Sequence, residues 1–387
     1  MANTHETLTS LFTDIADAIR EKTGGTEPIK ADEFPTAIAG IEAGGGGDSA
    51  DEMVFTPCFT DDYINYVCRP NDMLNYDTLE IVKGEWIACG NNGLYRSEDG
   101  VRWECVMDGD GFVFACCNPN AIPDEEVCWV ACGSNGLYAS YDGIDWWSCG
   151  VEVYFSSVCY SSYRSRWAAA GSDGLYYSDD GANWELALED GFDNMNSLGC
   201  RGDKWVAAGY CGLYYSTDGA NWTRCDVGEE DEFFYYAQPI KDNAGVGFGR
   251  CSFVATGDYG VYYSEDGVNW DMDDTTRVPD YIYCLGGTLF AGLYHKGIKY
   301  NDGDGWVQSN VVNSCIYGID GRIGHIVAGV SLGGGIYHSR DGVTWSPCKV
   351  TGDLADPNLG FVCYSGDDKL WVAAGASGIY YCTDDNA

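Results

Sequence analysis

Beyond residue 50 the chain is a succession of short apolar runs punctuated by Gly, Asp and Asn, and one arrangement of them keeps returning. The stretch 93–103, GLYRSEDGVRW, reappears as GLYASYDGIDW, GLYYSDDGANW, GLYYSTDGANW and GVYYSEDGVNW before it weakens. From residue 75 onward each copy divides alike: an apolar strand such as 113–117 or 157–160, a W-x-A-x-G strand, a G-L-Y-Y-S strand, and a strand carrying an anchoring tryptophan. Those tryptophans, Trp103, Trp146, Trp184, Trp222, Trp270, Trp306 and Trp345, are 43, 38, 38, 48, 36 and 39 residues apart. This is the period of one four-stranded blade repeated around a propeller. The second strand gives the count, because Trp86, Trp129, Trp167, Trp205, Phe253, Phe290, Ile326 and Trp371 start or sit in eight copies. The predicted fold is therefore all-β, an eight-bladed β-propeller of four-stranded antiparallel blades.

The two ends of this domain, residues 53–387, bear on how the ring closes. The last copy, WVAAGASGIYYCTDDNA, supplies a third strand and no fourth, while an orphan strand-like piece, 53–59, precedes the first complete blade. Donating that piece to the last blade would satisfy its open ladder edge, so closure through 53–59 is expected.

A different pattern precedes the repeats. Residues 6–22 place Leu8, Leu11, Phe12, Ile15 and Ile19 at the helical period, and Thr23-Gly24-Gly25 stops the run. A second short element, 34–41, carries Phe34, Ile38 and Ile41 on one side, with Pro35 in its first turn. Two such pieces bury too little to be stable alone. Residues 1–42 are therefore expected to form a small N-terminal α-helical anchor whose apolar positions pack on copies of the chain or on a larger assembly. A trimer is one arrangement this stripe allows. Residues 43–52, rich in glycine, read as a flexible linker.

Charge narrows the partners. The formal net charge is −39, with three basic and nine acidic side chains in residues 1–50 and 18 basic against 51 acidic in the rest. No basic patch able to neutralise phosphates can be built from so few cations, so nucleic acid is not an expected partner. The chain has no apolar run of about eighteen residues and no basic start leading into an apolar segment, so neither membrane insertion nor a secretory signal is expected. All 19 cysteines lie between Cys58 and Cys382, with no C-x-x-C pair, and Cys89 and Cys132 stand where Ala170, Ala208 and Thr256 stand in other copies. Cysteine is thus read as a small buried hydrophobe, mostly a free thiol, in a protein made in a reducing cytoplasm. The four histidines, His5, His295, His325 and His338, lack metal-ligand spacing, and the glycines belong to turns rather than to a phosphate loop. No metal and no cofactor are expected.

Two resemblances extend this reading. The repeated S-x-D-G-x-x-W signature resembles the Asp-box, or BNR, repeat of sialidase-like propellers with one residue fewer. Boxes stand at Ser97/Asp99/Gly100, Ser140/Asp142/Gly143, Ser178/Asp180/Gly181, Ser216/Asp218/Gly219, Ser264/Asp266/Gly267 and Ser339/Asp341/Gly342, and the copy at Asn301-Asp302-Gly303 has lost a residue. The Asp-Gly pair suits a tight turn, so the box is read as scaffold. The N-terminal segment LFTDIADAIREKTGGTEPIKADEFPTAIAGI resembles the short attachment modules of bacteriophage tail and fibre proteins, through IADAIR-KTG, the following PIK, and the D/E-F-P-x-x-I-x-x-I element. That resemblance implies a virion protein synthesised in the bacterial cytoplasm and fixed to other virion proteins through Leu8, Leu11, Phe12, Ile15, Ile19, Phe34, Ile38 and Ile41.

Candidate binding residues come from comparing the copies with one another. The Asp-box side of each blade is nearly constant, whereas the opposite side presents Asn91-Asn92, Ser134-Asn135, Ser172-Asp173, Tyr210-Cys211, Asp258-Tyr259, His295-Lys296 and Ser331-Leu332. Variation on a fixed frame is where recognition is usually placed. The crossovers on that side are acidic and aromatic, notably Asp110 and the run Phe233, Phe234, Tyr235, Tyr236 after 229–232. The candidate ligand-binding set is Asn92, Asn135, Asp173, Tyr210, Tyr259, His295, Lys296, Phe233, Phe234 and Asp110. Aromatic faces beside carboxylates suit sugar rings or a cationic protein surface. Glycoside hydrolysis is the alternative chemistry. Sialidases need an arginine cluster and an Arg-Ile-Pro motif, of which only Cys68-Arg69-Pro70 is a faint echo. Xyloglucan-cleaving glycosidases carry similar repeats in two facing propellers, and this chain has room for one. Paired acids at Asp61-Asp62 and Asp367-Asp368 do not by themselves make a general acid and base. The expected function is non-enzymatic: a phage appendage with a propeller head that binds a host-surface glycan or protein. A purely structural decoration of capsid or baseplate is the other non-enzymatic reading.

Overall fold

Every residue of Trp86–Gly90 and of Trp129–Gly133 is buried, and the alternation of the strand explains why. Successive side chains point to opposite faces of a sheet. Trp86 and Ala88 pack with Leu370, Val372 and Ala374 of the last blade, whereas Ile87 and Cys89 pack with Phe112, Trp129 and Ala131 of the second. The same division recurs around the ring and produces eight hydrophobic clusters, one at each junction between neighbouring blades. The core is a torus of blade-to-blade contacts. Small residues at Cys89, Cys132, Ala170, Ala208 and Thr256, all fully buried, let the sheets approach there.

The computed structural model describes residues 53–383, except 61, 70–72, 75–80, 83, 110, 120, 122–124, 190–193, 211, 229–231, 241–251, 275–278, 286–287, 294, 313, 323, 332–334 and 352–357. Seven four-stranded antiparallel sheets and one five-stranded sheet form the eight blades. The first runs Ile64–Cys68, Trp86–Gly90, Gly93–Ser97 and Glu104–Asp108, and the fifth Phe234–Pro239, Phe253–Gly257, Val261–Ser264 and Asp271–Asp273. In the eighth, Leu359–Ser365, Leu370–Gly375 and Gly378–Thr383 are completed by Val54–Phe59, with Thr56 opposite Tyr381 and Pro57 opposite Tyr380. A fifth strand, Lys349–Val350, then pairs in parallel with Val54 and Phe55. The N–H groups of Lys349 and Thr351 donate to the carbonyls of Met53 (2.9 Å) and Phe55 (2.8 Å). The closing strand is thus held on both edges.

Two details depart from the sequence reading. The repeats do not begin at residue 75: the inner strand of the first blade is Ile64–Cys68, and its connection to Trp86–Gly90 contains a small ladder of Met73–Leu74 with Ile81–Val82. That inserted ladder lengthens the first copy and hides its start. In the sixth blade the position equivalent to the second-strand tryptophan is Leu289, which lies opposite Asn301 as Trp167 lies opposite Ser178. Phe290 sits one residue further and packs towards the seventh blade. Where both faces of a strand are buried, apolar character alone does not set register. Among the described residues there is no helix. Contacts divide the chain into Met1–Glu52 and Met53–Ala387; the helical anchor expected for 1–42 and the linker 43–52 lie outside the described residues.

The S-x-D-G-x-x-W turns occupy one face of the disc, the lower. In the fourth blade the Ser216 hydroxyl accepts the Gly219 N–H (2.9 Å) and donates to Asp218 Oδ1 (3.0 Å). Asp218 Oδ1 accepts the N–H groups of Ala220 (2.9 Å) and Asn221 (2.8 Å), and the Trp222 indole donates to the Gly219 carbonyl (3.0 Å). Gly219 holds φ 78, a left-handed conformation that glycine adopts without strain. The serine and aspartate bonds recur at Ser97, Ser140, Ser178, Ser264 and Ser339, and the indole bond recurs at Trp103, Trp146, Trp184 and Trp345 but not at Trp270. In the sixth blade the Asn301 side-chain carbonyl takes the hydroxyl's place, accepting from Gly303 (2.9 Å) and Gly305 (3.1 Å). A lower face built this way is repetitive.

Candidate functional site

The opposite, upper face carries the loops between second and third strands together with the crossovers into each inner strand. Backbone bonds stitch these pieces to one another around the rim. Asn91 N–H donates to the Tyr63 carbonyl, Gly111 to Asn91, and Ser134 to Gly111, at 2.9, 2.7 and 3.0 Å. Further round, Ser172 donates to Tyr154, Asn194 to Ser172, Tyr210 to Asn194, and Asp258 to Phe233, at 2.9, 3.2, 3.2 and 3.1 Å. The loops that differ most between copies are therefore mounted on a hydrogen-bonded belt, which fixes their backbone while leaving their side chains free to vary.

Buried carboxylates brace the belt from below. Asp62 accepts the Asn92 backbone N–H (2.8 Å), the Asn92 side-chain amide (2.8 Å) and the Tyr95 hydroxyl (3.0 Å). Glu232, 1% exposed, accepts the Tyr262 hydroxyl on both oxygens (2.7 and 2.8 Å) and the Tyr259 N–H (3.3 Å). The half-buried Asp173 likewise accepts the Tyr176 hydroxyl (2.8 Å). Burial, and then the carboxylate beside each phenol, pushes the Tyr95, Tyr176 and Tyr262 hydroxyls up, Tyr176 to about 12. A side chain at Gly90 would collide with the Asp62 carboxylate, and one at Gly257 with that of Glu232. Both glycines are required by this close approach.

On that frame the structure gathers part of the candidate set at the junction of the fourth and fifth blades. Tyr210, 50% exposed, meets Phe233 edge to face at 5.5 Å, and Phe233 meets Tyr235 at 4.7 Å. The Tyr235 hydroxyl donates to Asp258 Oδ1 (2.6 Å), whose other oxygen accepts the Phe233 N–H (3.3 Å). Tyr259, next in the same loop, is 41% exposed. The result is an aromatic corner with carboxylates at its base and no cationic side chain among the groups just named. Such a surface stacks against apolar faces or rings and accepts hydrogen bonds, which fits a polyol or a cationic group.

The remaining candidates stand elsewhere. Asn92 and Asn135 are exposed on the loops of the first and second blades, and Asn92 is engaged by Asp62. Asp173 is half-buried on the third. His295 and Lys296 are exposed on the sixth; His295 has φ 56, and its N–H donates to the Cys315 sulfur (3.3 Å). Asp110 lies outside the described residues. Phe234 must be corrected: it is fully buried, packing against Tyr262 at 5.0 Å, because it opens the inner strand opposite Gly257 and faces the core. Tyr235 and Asp258 complete the corner and were not in the set. The two-residue alternation of the run Phe233, Phe234, Tyr235 was the available signal, since it puts the middle ring inward when the outer two point out.

Three of the four paired acids weighed for catalysis are engaged structurally, and Asp61 lies outside the described residues. Asp62 is the brace just described. Asp368 accepts the Arg69 guanidinium (2.6 Å), the Trp86 indole (3.2 Å) and the Ser365 hydroxyl (3.2 Å), and Asp367 lies 3.4 Å from Arg69. Among the described residues, no group of three or more His, Cys, Asp or Glu is placed to hold a metal ion.

No family model matches the chain, and no curated protein matches it. Solved structures do resemble it in fold. The computationally designed Ika8 protein superposes with TM-score 0.58 at 12% identity, over 86% of this chain and 100% of that one. The WD40 β-propeller domain of Doa1 gives TM-score 0.50 at 10% identity, over 84% and 93%. The GH74 enzyme of Niastella koreensis gives TM-score 0.48 at 17% identity, and this chain spans 48% of its length. The likenesses to Ika8 and Doa1 show a β-propeller and nothing finer.

Proposed function

We propose that the chain is a non-enzymatic binding head, and that its upper face recognises a host-surface glycan or protein through the corner formed by Tyr210, Phe233, Tyr235 and Tyr259. The observation that carries this reading is the half-exposed Tyr210 set against Phe233 above the Asp258 carboxylate, on a belt whose backbone is otherwise regular. Large aromatics left accessible in a fixed geometry are what a binding surface needs, because little entropy is lost when a ligand stacks on them. Placement on a bacteriophage particle is drawn from the resemblance of residues 1–42 to tail and fibre attachment modules. Several heads fixed on one particle would turn weak single contacts into avid attachment.

The test uses the full-length protein on a glycan array and on cell-surface fractions of candidate bacterial hosts. Retention on a defined glycan or fraction supports recognition. Absence of binding to all of them favours decoration of the particle. Hydrolysis of a bound glycan would replace the reading with an enzymatic one. Removing residues 1–45 should abolish incorporation into particles and leave the propeller soluble.

A further inference from the structure

The inner strands meet at the centre by a fixed rule. One position on each faces the following blade, and the next position faces the preceding one. At the sixth junction the Tyr283 hydroxyl accepts the Gly321 N–H (3.1 Å), and at the seventh Asp320 Oδ2 accepts the Tyr364 N–H (2.8 Å). At the fourth, a Cβ on Gly199 would stand 2.6 Å from Pro239 Cδ. Register identifies the same two positions in every blade. Cys68, Cys116, Cys159, Gly199, Tyr283 and Asp320 lie opposite Ile87, Val130, Ala168, Val206, Phe290 and Val327. The residues that follow, Cys117, Cys200, Pro239, Gly321 and Tyr364, lie opposite Trp129, Trp205, Phe253, Ile326 and Trp371.

At two junctions both positions are cysteine: Cys68 faces Cys117 between the first and second blades, and Cys159 faces Cys200 between the third and fourth. The thiols are oriented across these junctions. Cys68 Sγ–H points at the Ala115 carbonyl of the second blade (3.7 Å), and Cys200 Sγ–H at the Tyr160 carbonyl, the residue after Cys159 (3.3 Å). Cys159 and Cys200 both pack against the hydrophobic cluster at the junction of the third and fourth blades. All four line one cavity of about 300 Å³ at the centre of the disc, bounded by the inner strands of the first five blades. Burial pushes the Cys68, Cys117 and Cys159 thiols up, Cys117 to about 12, so these three rest protonated until an oxidant arrives.

We propose that Cys159/Cys200 and Cys68/Cys117 are two equivalent inter-blade dithiols that close to disulfides when a small two-electron oxidant enters the central cavity. With diamide as oxidant, one thiol adds across the N=N bond. The partner sulfur then displaces the substituted hydrazine, forming the S–S bond while both thiol protons and two electrons end on the two nitrogens. Each closure staples one blade to the next and leaves the upper face untouched. The inference is therefore independent of what that face binds.

The experiment treats the reduced full chain with diamide under native conditions, alkylates residual thiols, and maps peptides without reduction. Expected are two dominant cross-links, Cys159 to Cys200 and Cys68 to Cys117, each lowering the mass by two hydrogens, with a raised thermal midpoint that a reductant reverses. Cys200→Ser should remove the first link and keep the second, and Cys117→Ser the converse. Four alkylated thiols after treatment, or links to cysteines other than these partners, would overturn the proposal. A link at one junction alone would overturn the equivalence of the two sites. The wild-type map decides the matter even if a serine variant fails to fold.

Discussion

Replacing Ser216 by alanine isolates what one lower-face turn contributes. Its hydroxyl, 1% exposed, accepts N–H groups from Gly219 (2.9 Å) and Asp218 (3.2 Å) and donates to Asp218 Oδ1 (3.0 Å). The methyl group of alanine fits the space and satisfies none of these. Asp218 is partly exposed and recovers hydration, whereas the Gly219 N–H is buried and is left unpaired. Leaving one buried donor unsatisfied costs about 1–3 kcal/mol, so Ser216→Ala should destabilise the propeller by about 2 kcal/mol. Guanidinium unfolding reads this as a lower midpoint at unchanged slope. Ser216→Ala combined with Asp218→Ala should cost less than the sum of the single changes, because the two side chains serve one network. A loss for Ser216→Ala below about 0.5 kcal/mol, the scatter of neutral surface changes, would refute the claim that these bonds hold the turn.

Phe55→Ala removes a fully buried ring from the closing strand and should cost about 3–5 kcal/mol by urea unfolding; a neutral outcome would mean that Val54–Phe59 does not complete the eighth blade. Acid stability should be set by the turn carboxylates. Burial alone would raise Asp218 and Asp266, but bonds from Asn221 and Ala220, and from Asn269 and Val268, outweigh it and hold both at about 2. A carboxyl depressed in the folded state stabilises it above the ordinary carboxylate range and loses that contribution as pH falls through the folded value. Unfolding midpoints should therefore drop between about pH 4 and about pH 2, and Asp218→Asn should flatten the drop.

Much of the architecture was legible because most copies repeat one short solution: an Asp-Gly corner, an indole that in five of them bonds to the glycine carbonyl, and a second strand buried on both sides. Repetition supplied the comparison that a single strand such as Thr288–Leu293 cannot, which is why the register slipped there, between Leu289 and Phe290. The parallel partner Lys349–Val350 was not legible, since two residues of backbone pairing leave no side-chain pattern. The braces at Asp62 and Glu232 were hidden for a related reason: an acid in a crossover reads as solvated until the phenol 33 or 30 residues later is seen to point at it. Phe234 read as surface because its neighbours are. Only strand direction separates it from Phe233.

The account rests most directly on the aromatic corner of the upper face, and binding of the full-length chain to host-surface material, with and without that corner, is the measurement that tests it. Tyr210→Ala with Tyr259→Ala should leave the unfolding free energy within about 1 kcal/mol of wild type, because both residues are about half exposed. The same pair should weaken binding by about 2 kcal/mol or more, roughly thirtyfold in Kd. Wild-type affinity retained by the double variant on a ligand that the parent protein binds would contradict it.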